Sequence, residues 1–271
     1  MPASAEQMSA PARAENMPGM PGIFSRFLSA QWRDLLMLNF VVDPALLRPL
    51  VPRGTELDLW RGDAYASLVG FRFLRTRLLG VPIPGHRDFD ELNLRFYVSR
   101  RGPEGVRRGV AFVRELVPRR AIAWTARAVY NEPYLAVPMR HEVGASGGSA
   151  GGDAPGASAP RTVRYSWRIG GEWHAICAST QGEPTLLRDG SEEEFIAEHY
   201  WGYTAQRDGG TVEYRVAHPR WRVWQALQPR VEGDLVATYG ADFARALAGP
   251  PRSAFVAEGS PVVVFRPRRC A

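Results

Sequence analysis

The sequence predicts an α+β protein that consists mostly of β-strands, with a few short helices. Strand-like runs bounded by glycine, proline and aspartate recur along most of its 271 residues. The chain is 45% hydrophobic, which is enough apolar material for one large core. The helix-like segments are few and short. We therefore expect a single domain over residues 23–268, preceded by a disordered tail at residues 1–22.

The first part of the chain is predicted to form strands joined by tight turns. Asp43 followed by Pro44 is typical of the start of a short helix, since aspartate caps a helix and proline suits its first position. The Arg-Gly-Asp triplet at residues 61–63 separates two strand-like runs and predicts a hairpin turn, not a cell-adhesion motif. The predicted strands here are Leu35–Asp43, Glu56–Trp60, Ala64–Arg75, Glu91–Val98 and Gly109–Val117.

A short helix is predicted to follow and to end at a polar corner. Its apolar stripe recurs at i, i+3, i+4 and i+7, at Ile122, Thr125, Ala126 and Val129. Pro133 disfavours helical geometry at Glu132, so the helix is expected to end near Asn131. A strand is predicted over Tyr134–Val143.

The second part of the chain is predicted to open with a flexible insertion. Residues 144–160 are rich in glycine, serine, alanine and proline. They contain a match to G-x-S-x-G, the motif of a nucleophile elbow, but not the strand and helix that flank such an elbow. We therefore interpret the match as part of a low-complexity segment. Ser191 and Glu194 form a capping box that predicts a helix ending near His199. The other predictions are strands Thr162–Ile169, Trp173–Ser179, Thr211–Ala217, Trp221–Ala226, Ala254–Glu258 and Pro261–Phe265, and a helix Tyr239–Leu247.

The composition excludes several classes of chemistry. All 34 basic residues are arginine, and a chain without lysine cannot form a lysine Schiff base or complete a Walker A loop. The net charge is +6, but the arginines are scattered, so we do not expect nucleic-acid binding. No metal-binding Cys/His spacing and no G-x-G-x-x-G after a strand occur, so neither a metal nor another cofactor is expected.

The cysteine content and the absence of long apolar segments predict the cellular compartment of the protein. Cys177 and Cys270 give little basis for a structural disulfide, which fits a reducing environment. We find no signal peptide and no apolar run long enough to span a membrane. We therefore expect a cytoplasmic protein that does not enter a membrane. The sequence leaves the oligomeric state open and is compatible with a homo-oligomer.

The polar face of one predicted strand is the first candidate site. Glu91, Asn93 and Arg95 alternate with leucines and lie about 7 Å apart. Such a face either meets water or lines a ligand pocket. In a pocket, Arg95 is suited to bind a carboxylate in a bidentate pair. Glu91 is then an acid or base, or the counter-charge of Arg95.

The helix end supplies the second group of candidates. Glu132 is a candidate for proton transfer, and Tyr134 is a candidate hydrogen-bond donor to an oxyanion. The alternative is that these residues only end the helix and that Tyr134 is structural. Asn131 and Arg127 adjoin them as candidate ligand-binding residues. His199 is a further candidate, although a histidine at a helix C-terminus is also favourable for the helix alone.

Four stretches together resemble the YqjF-like family, a domain of unknown function, and more distantly acetoacetate decarboxylase. The resemblance spans Trp32–Phe265 and is carried by DPALLRPLVPRGTELDLWRGDAYASLVGFRF, FDELNLRFYV, VRELVPRRAIAWTARAVYNEPY and EFIAEHYWGYT. It implies an antiparallel β-barrel or cone with short flanking helices. The decarboxylase carries its Schiff-base lysine in a turn similar to Glu132–Leu135, where this chain has Tyr134. The resemblance therefore implies the barrel and the pocket location but not the reaction.

Three functional hypotheses follow. The leading one is binding of a small organic anion in a barrel pocket. The second is a lysine-independent enzyme of the lyase or hydratase type, which would use Glu132 and Tyr134 on a small carbonyl or carboxylate substrate. The third is a structural scaffold without a ligand. A Schiff-base decarboxylase is excluded because the chain has no lysine.

Overall fold

The strands of the protein are long at the centre of the fold and short at its edges. A computed structural model describes residues 25–124, 131–145 and 160–270. The strands are β1 (Arg26–Val42), β2 (Glu56–Leu57), β3 (Ala64–Leu78), β4 (Val81–Pro82), β5 (Phe89–Gly102), β6 (Gly105–Val117), β7 (Tyr134–Ala136), β8 (Met139–Ala145), β9 (Arg161–Ile169), β10 (Glu172–Thr180), β11 (Thr185–Leu186), β12 (Trp201–Ala205), β13 (Thr211–Ala217), β14 (Arg222–Gln225), β15 (Leu227–Glu232), β16 (Ser253–Phe265) and β17 (Arg268–Arg269).

The helices are short. They are α1 (Pro44–Leu47), α2 (residues 120–124), α3 (Glu192–Ala197), α4 (Val236–Tyr239) and α5 (Ala241–Ala246), and a 3₁₀ turn covers Arg48–Leu50. Among the residues that the structure describes, none of the helices has the length and apolar character needed to cross a membrane. The predicted α+β class, mostly β with a few short helices, is confirmed.

Seven strands of the larger sheet close into a ring. Their order is β16-β1-β3-β5-β6-β12-β13, and β13 pairs back to β16 through Val216–Val264 and Ala217–Val263. The neighbours in this ring are antiparallel, except that β12 runs parallel to β6. The ring agrees with the barrel or cone that the family resemblance implied.

A second sheet covers part of the outside of the ring. It has the order β15-β10-β9-β8, and its apolar face forms one core with α4, α5 and the outward-facing residues of the ring. Tyr165 of β9 packs directly on Gly70 of β3, and its hydroxyl donates to the carbonyl of Asp34 over 2.8 Å. The backbone of the ring comes this close to the second sheet because Gly70 has no side chain.

We expect Gly70→Ala to lower the free energy of unfolding by about 1–3 kcal/mol, because overpacking forces neighbours out of place. A Cβ at this position would lie 2.6 Å from the Tyr165 ring. Urea denaturation measures the change. Gly249→Ala is the matched control, since nothing lies within 4 Å of a Cβ there. Equal stability of the two variants would contradict the packing argument.

The interior of the ring contains a second apolar core. Alternation along the strands directs Met37, Val69 and Tyr97 inward, while their sequence neighbours face the outer core. Helix α3 enters the ring, and Phe195 packs on Tyr97 with ring centroids 5.4 Å apart. The side chains from α3 fill one part of the interior, and the rest of it is an open cavity.

Several local predictions are confirmed by hydrogen bonds. The Asp43 side chain caps α1 by accepting from the Ala45 amide over 2.8 Å. The triplet at residues 61–63 is a turn, closed by the bridge between Trp60 and Asp63, but the predicted hairpin was wrong, because β2 pairs with β5 and not with β3. Ser191 caps α3 by accepting from the amide of Glu194 over 3.1 Å.

Other predicted elements were wrong in their bounds. The predicted strand Tyr134–Val143 is split into β7 and β8, which belong to different sheets, because Pro138 between them has no amide to donate. The predicted helix Tyr239–Leu247 is α4 and α5, separated by Gly240 at φ +83°. Two predicted strands are the single strand β16, which continues through Gly259 at φ +77°.

Residues 125–130 of the predicted helix, which include three of the four stripe residues, lie outside the described residues, as do the tail at residues 1–22 and residues 146–159 of the insertion. Residues 120–124 of the predicted helix are helical. Helix α3 ends at Ala197 with Glu198 as its C-cap, so it ends two residues earlier than predicted, and His199 directly follows the cap.

Candidate functional site

A cavity of about 270 Å³ lies inside the ring. Ile83 and Ala121 line it and are exposed, so the segments around them form its solvent-facing side. Most of its wall is aromatic or aliphatic and includes Trp32, Val69, Phe71, Phe73, Phe89, Val110, Phe112, Trp201, Trp221 and Val264. Such a wall suits the apolar body of a small molecule.

A row of polar side chains on three neighbouring strands forms part of the cavity lining. Asn93 of β5 pairs with Glu115 of β6, and Glu115 pairs with Tyr134 of β7. Glu91 and Arg95 flank Asn93 on the same face of β5, as the alternation predicted. Strand pairing therefore brings these residues together although they are distant in sequence.

Glu115 faces the cavity because β6 contains a bulge. Phe112 and Glu115 are three residues apart, and in a regular strand they would point to opposite faces. The register of β5 with β6 shifts at this point, where Arg95 pairs with Phe112 and Leu94 with Arg114. Val113 is the extra residue. Without the bulge, Arg114 would face the cavity in place of Glu115.

Glu132 reaches the cluster from the segment just before β7. Its carboxylate accepts a hydrogen bond from the hydroxyl of Tyr214 on β13. Gly202 pairs with Tyr214 across the sheet, and a Cβ at Gly202 would overlap the tyrosine ring. The missing side chain at Gly202 thus allows Tyr214 to lie against Glu132.

The carboxyl groups of the cluster differ in their hydrogen bonds. Glu91 accepts from the hydroxyl of Tyr134 over 3.1 Å and from the amide of Asn93 over 3.2 Å. Oε2 of Glu115 and Oδ1 of Asn93 have no hydrogen-bond partner among the described residues, although the two residues are only 1% and 2% exposed. Buried polar atoms of this kind are rare unless a ligand or water satisfies them.

Burial keeps protons on this cluster at neutral pH. Burial raises the pKa of Glu91 to about 7, although Asn93, Tyr134 and Arg95 lower it in part. Burial also raises the pKa of Glu132 to about 8. The pKa of Glu115 is well above its ordinary value because of burial and then the charges of Glu132 and Glu91. Three carboxylates in one apolar cavity cannot all ionise together.

The other polar residues supply donors. Burial and the neighbouring glutamates hold the pKa of Tyr134 well above its usual range, so it remains a neutral phenol. The Nη2 of Arg95 donates to the carbonyl of Ile196 over 3.3 Å, whereas its buried Nε has no partner among the described residues. Arg95 carries the only permanent positive charge on the described lining of the cavity.

The two buried histidines of the cavity are neutral. Burial lowers the pKa of His199 to about 4, even though its Nε2 lies 3.1 Å from a carboxylate oxygen of Asp58. Burial likewise lowers the pKa of His218 to about 4. Neither histidine adds a positive charge at neutral pH.

The structure brings together most of the residues predicted from sequence. The cavity lining includes Glu91, Asn93, Arg95, Glu132, Tyr134 and His199. Asn131 is placed elsewhere, since its side chain donates to the carbonyl of Ala205 over 2.9 Å and is not part of the lining. Arg127 lies outside the described residues.

Sequence reasoning missed Glu115, Tyr214 and His218. A charged residue inside the apolar run FVRELV was the one visible signal for Glu115. Among the described residues, no group of three histidine, cysteine, aspartate or glutamate side chains is arranged to hold a metal ion.

The fold is similar to that of acetoacetate decarboxylase. The enzyme from Legionella pneumophila superposes with a TM-score of 0.62 at 12% identity, covering 99% of this chain and 98% of that one. The enduracididine biosynthesis enzyme MppR, complexed with the condensation product of pyruvate and imidazole 4-carboxaldehyde, gives a TM-score of 0.61 at 15% identity over 90% of each chain. These similarities establish the acetoacetate decarboxylase-like fold.

The chain belongs to the DUF2071 family, described as an uncharacterized conserved protein, whose model matches residues 29–263. Uncharacterized protein YqjF of Bacillus subtilis (strain 168) is 39% identical to it over 113 residues. That match spans 41% of this chain and 45% of the relative, so less than half of the relative's length is covered. The predicted resemblance to the YqjF-like family is confirmed.

Proposed function

We propose that this protein binds a small organic acid with an apolar body in the cavity of the ring. The observation that carries the proposal is an apolar cavity lined by three polar residues, each of which has a buried atom without a hydrogen-bond partner among the described residues: Oε2 of Glu115, Oδ1 of Asn93 and Nε of Arg95. An apolar body fits the wall, and a polar head satisfies these atoms.

The charges of the cavity favour an acid as the ligand. Arg95 offers a guanidinium group to a carboxylate. The glutamates would repel an anion if they were ionised, but a protonated carboxyl group donates a hydrogen bond to it. The raised pKa values of Glu115 and Glu132 make such donors present at neutral pH, whereas Glu91, with a pKa of about 7, is partly ionised there.

A lysine-independent enzyme is the second candidate function. Its support is that Glu91 and Glu132 have pKa values of about 7 and 8, which is the range that suits general acid–base catalysis near neutral pH. A lyase or hydratase acting on a carbonyl or carboxylate compound fits these groups. The ligand of MppR is formed from pyruvate, so small oxo acids belong among the first compounds to test.

A thermal-shift screen tests the proposed binding. The compounds are aliphatic and aromatic monocarboxylates, 2-oxo acids and 3-oxo acids, each paired with its uncharged amide as a control. We expect acids with an apolar tail to raise the melting temperature more than their amides do. No shift with any acid would contradict the proposal and favour a scaffold without a ligand.

We expect Arg95→Met to weaken binding of an acid found in the screen by about 2–4 kcal/mol, with little loss of stability, because the guanidinium is the counter-charge of the ligand. Arg95→Lys should also bind poorly, since the planar fork is lost. Titration calorimetry measures the affinity. An unchanged affinity in Arg95→Met, or unfolding of that variant, would identify Arg95 as a structural residue.

We expect Tyr134→Phe to retain the packing of the ring and to lose only the hydroxyl that donates to Glu91 over 3.1 Å. The free energy of unfolding should fall by about 0–1.5 kcal/mol. We assign the same hydroxyl a role in binding the polar head of the acid, so affinity for that acid should fall by about tenfold or more, as the loss of one strong hydrogen bond predicts. Unchanged affinity would show that Tyr134 serves packing alone.

A further inference from the structure

We propose that the cavity exchanges a proton on the carbon next to the carbonyl group of an oxo acid, with Glu91 as the base and Glu115 as the acid. This inference rests on the proposed binding of a small organic acid. It adds a reaction to that binding, and it assigns opposite roles to two carboxyl groups on neighbouring strands.

The surroundings of Glu91 suit a base. Its two oxygens accept from Asn93 and Tyr134, and the charge of Arg95 also favours the ionised form. A carboxylate supported in this way ionises before its neighbours do. Glu91 is 4% exposed, so its charge acts in a site from which water is largely excluded.

The surroundings of Glu115 suit an acid. It is 1% exposed. Burial and then the negative charges of Glu132 and Glu91 favour its protonated form, and together they outweigh a hydrogen bond from Tyr134 that favours the ionised form. Its Oε2 has no partner among the described residues, and the residue is part of the cavity lining. A carboxyl group held neutral in this way can donate to the carbonyl oxygen of a ligand.

The proton transfer balances without a further reactant. The carboxylate of Glu91 takes a proton from the carbon next to the carbonyl, and the C–H electron pair becomes a carbon–carbon double bond. The carbonyl π pair moves to oxygen, which takes the proton of Glu115. The product is the enol, and the reverse steps restore the ketone. In heavy water the proton held by Glu91 exchanges with solvent from the open side of the cavity before the return step, so the returned atom is deuterium.

The other titratable or charged groups of the described lining are placed around these two carboxyls. They are Arg95 on β5, Glu132 and Tyr134 at β7, Tyr214 on β13, His199 before β12, His218 after β13 and His86 in the β4–β5 loop. Exchange should accelerate as Glu91 ionises near pH 7 and slow again once the acid partner loses its proton.

The test uses 2-oxo-4-phenylbutanoate as the probe, since it combines an oxo acid with an apolar tail. Proton NMR in heavy water follows loss of the C3 signal with and without the full chain, and titration calorimetry measures binding. We expect the protein to accelerate exchange. Glu91→Gln should reduce the acceleration by about 10²-fold or more while binding changes by less than about tenfold.

Two further variants make the assignment specific. Glu115→Gln removes the acid and should also reduce exchange by about 10²-fold. Glu142→Gln changes an exposed carboxyl on β8 and should leave exchange unchanged. Circular dichroism and the melting temperature establish that each variant is folded.

The outcomes separate the inference from the proposed function. Binding without exchange above the blank overturns the inference and leaves the binding proposal intact. Exchange that persists in folded Glu91→Gln also overturns it, since another group is then the base. If neither this probe nor any acid of the screen binds, the proposed function fails and the inference fails with it.

Discussion

Glu213→Ala is expected to lower the free energy of unfolding by about 3–5 kcal/mol, because it removes the buried carboxylate that three arginines share. Glu213 on β13 is 2% exposed and accepts from Arg107 over 2.7 Å, from Arg268 over 2.8 Å and from Arg100 over 3.4 Å. Arg107 is itself 6% exposed. Urea denaturation at pH 7 measures the change.

Glu104→Ala is the matched control for this prediction. Glu104 binds the same Arg107, but its side chain is 38% exposed, so water can replace it. We expect this variant to lose about 1 kcal/mol or less. If Glu213→Ala were no less stable than Glu104→Ala, the buried network would contribute nothing beyond a surface ion pair.

The polar face of β5 could be predicted from sequence because it depends on alternation alone. Leucines at every second position place Glu91, Asn93 and Arg95 on the opposite face, whatever the rest of the fold does. Sequence could not decide whether that face meets water or a cavity. That depends on closure of the ring through the pairing of β13 with β16, which joins distant parts of the chain.

The position of Glu115 could not be predicted from sequence. A regular strand places Glu115 on the outer face with Val113, and only the bulge reverses this. Tyr214 is similar, since its contact with Glu132 depends on the space left by Gly202 on a neighbouring strand. Glu115 reaches the site through a shift in strand register, and Tyr214 reaches it through the close approach of a neighbouring strand. The periodicity of a single sequence indicates neither of these.

Asn131 was predicted to be a ligand-binding residue, but the structure places it outside the cavity lining. Its nearness to Glu132 in sequence suggested one polar corner, yet its backbone has φ +56° and its side chain donates to Ala205 of β12. Asparagine tolerates this left-handed conformation better than most residues. Adjacency in sequence therefore identified a turn at this position, and the side chain serves the connection to β12.

The stability of the protein is expected to fall as pH rises from about 6.5 to 9, and Glu132→Gln should reduce this fall. Burial raises the pKa of Glu132 from 4.5 to about 8. Between these values the folded state keeps a proton that the unfolded chain has lost. The contribution of Glu132 to the free energy of unfolding is therefore complete below pH 4.5, and it is lost as pH rises through about 8. The raised pKa values of Glu91 and Glu115 act in the same direction.

The histidines set the lower limit of the experiment. Burial lowers the pKa values of His199 and His218 from 6.5 to about 4, so the folded state binds fewer protons than the unfolded chain between these values. Their contribution is lost as pH falls through this range, opposite in sign to that of the glutamates. Above pH 6.5 it fades as the unfolded histidines lose their remaining protons, and it is common to the proteins compared, so the difference in slope between variants reports the carboxyl cluster.

Urea denaturation between pH 6.5 and 9 measures the slope for wild type, Glu132→Gln and the exposed control Glu142→Gln. One group that differs in protonation between the two states contributes at most about 1.4 kcal/mol per pH unit. We expect Glu132→Gln to remove about 1 kcal/mol per pH unit of the slope below pH 8 and to be the more stable protein at pH 9. The control should match wild type. Equal slopes in all three proteins would mean that Glu132 is ionised in the folded state throughout this range, which would also remove the basis for assigning protonated donors to the cavity.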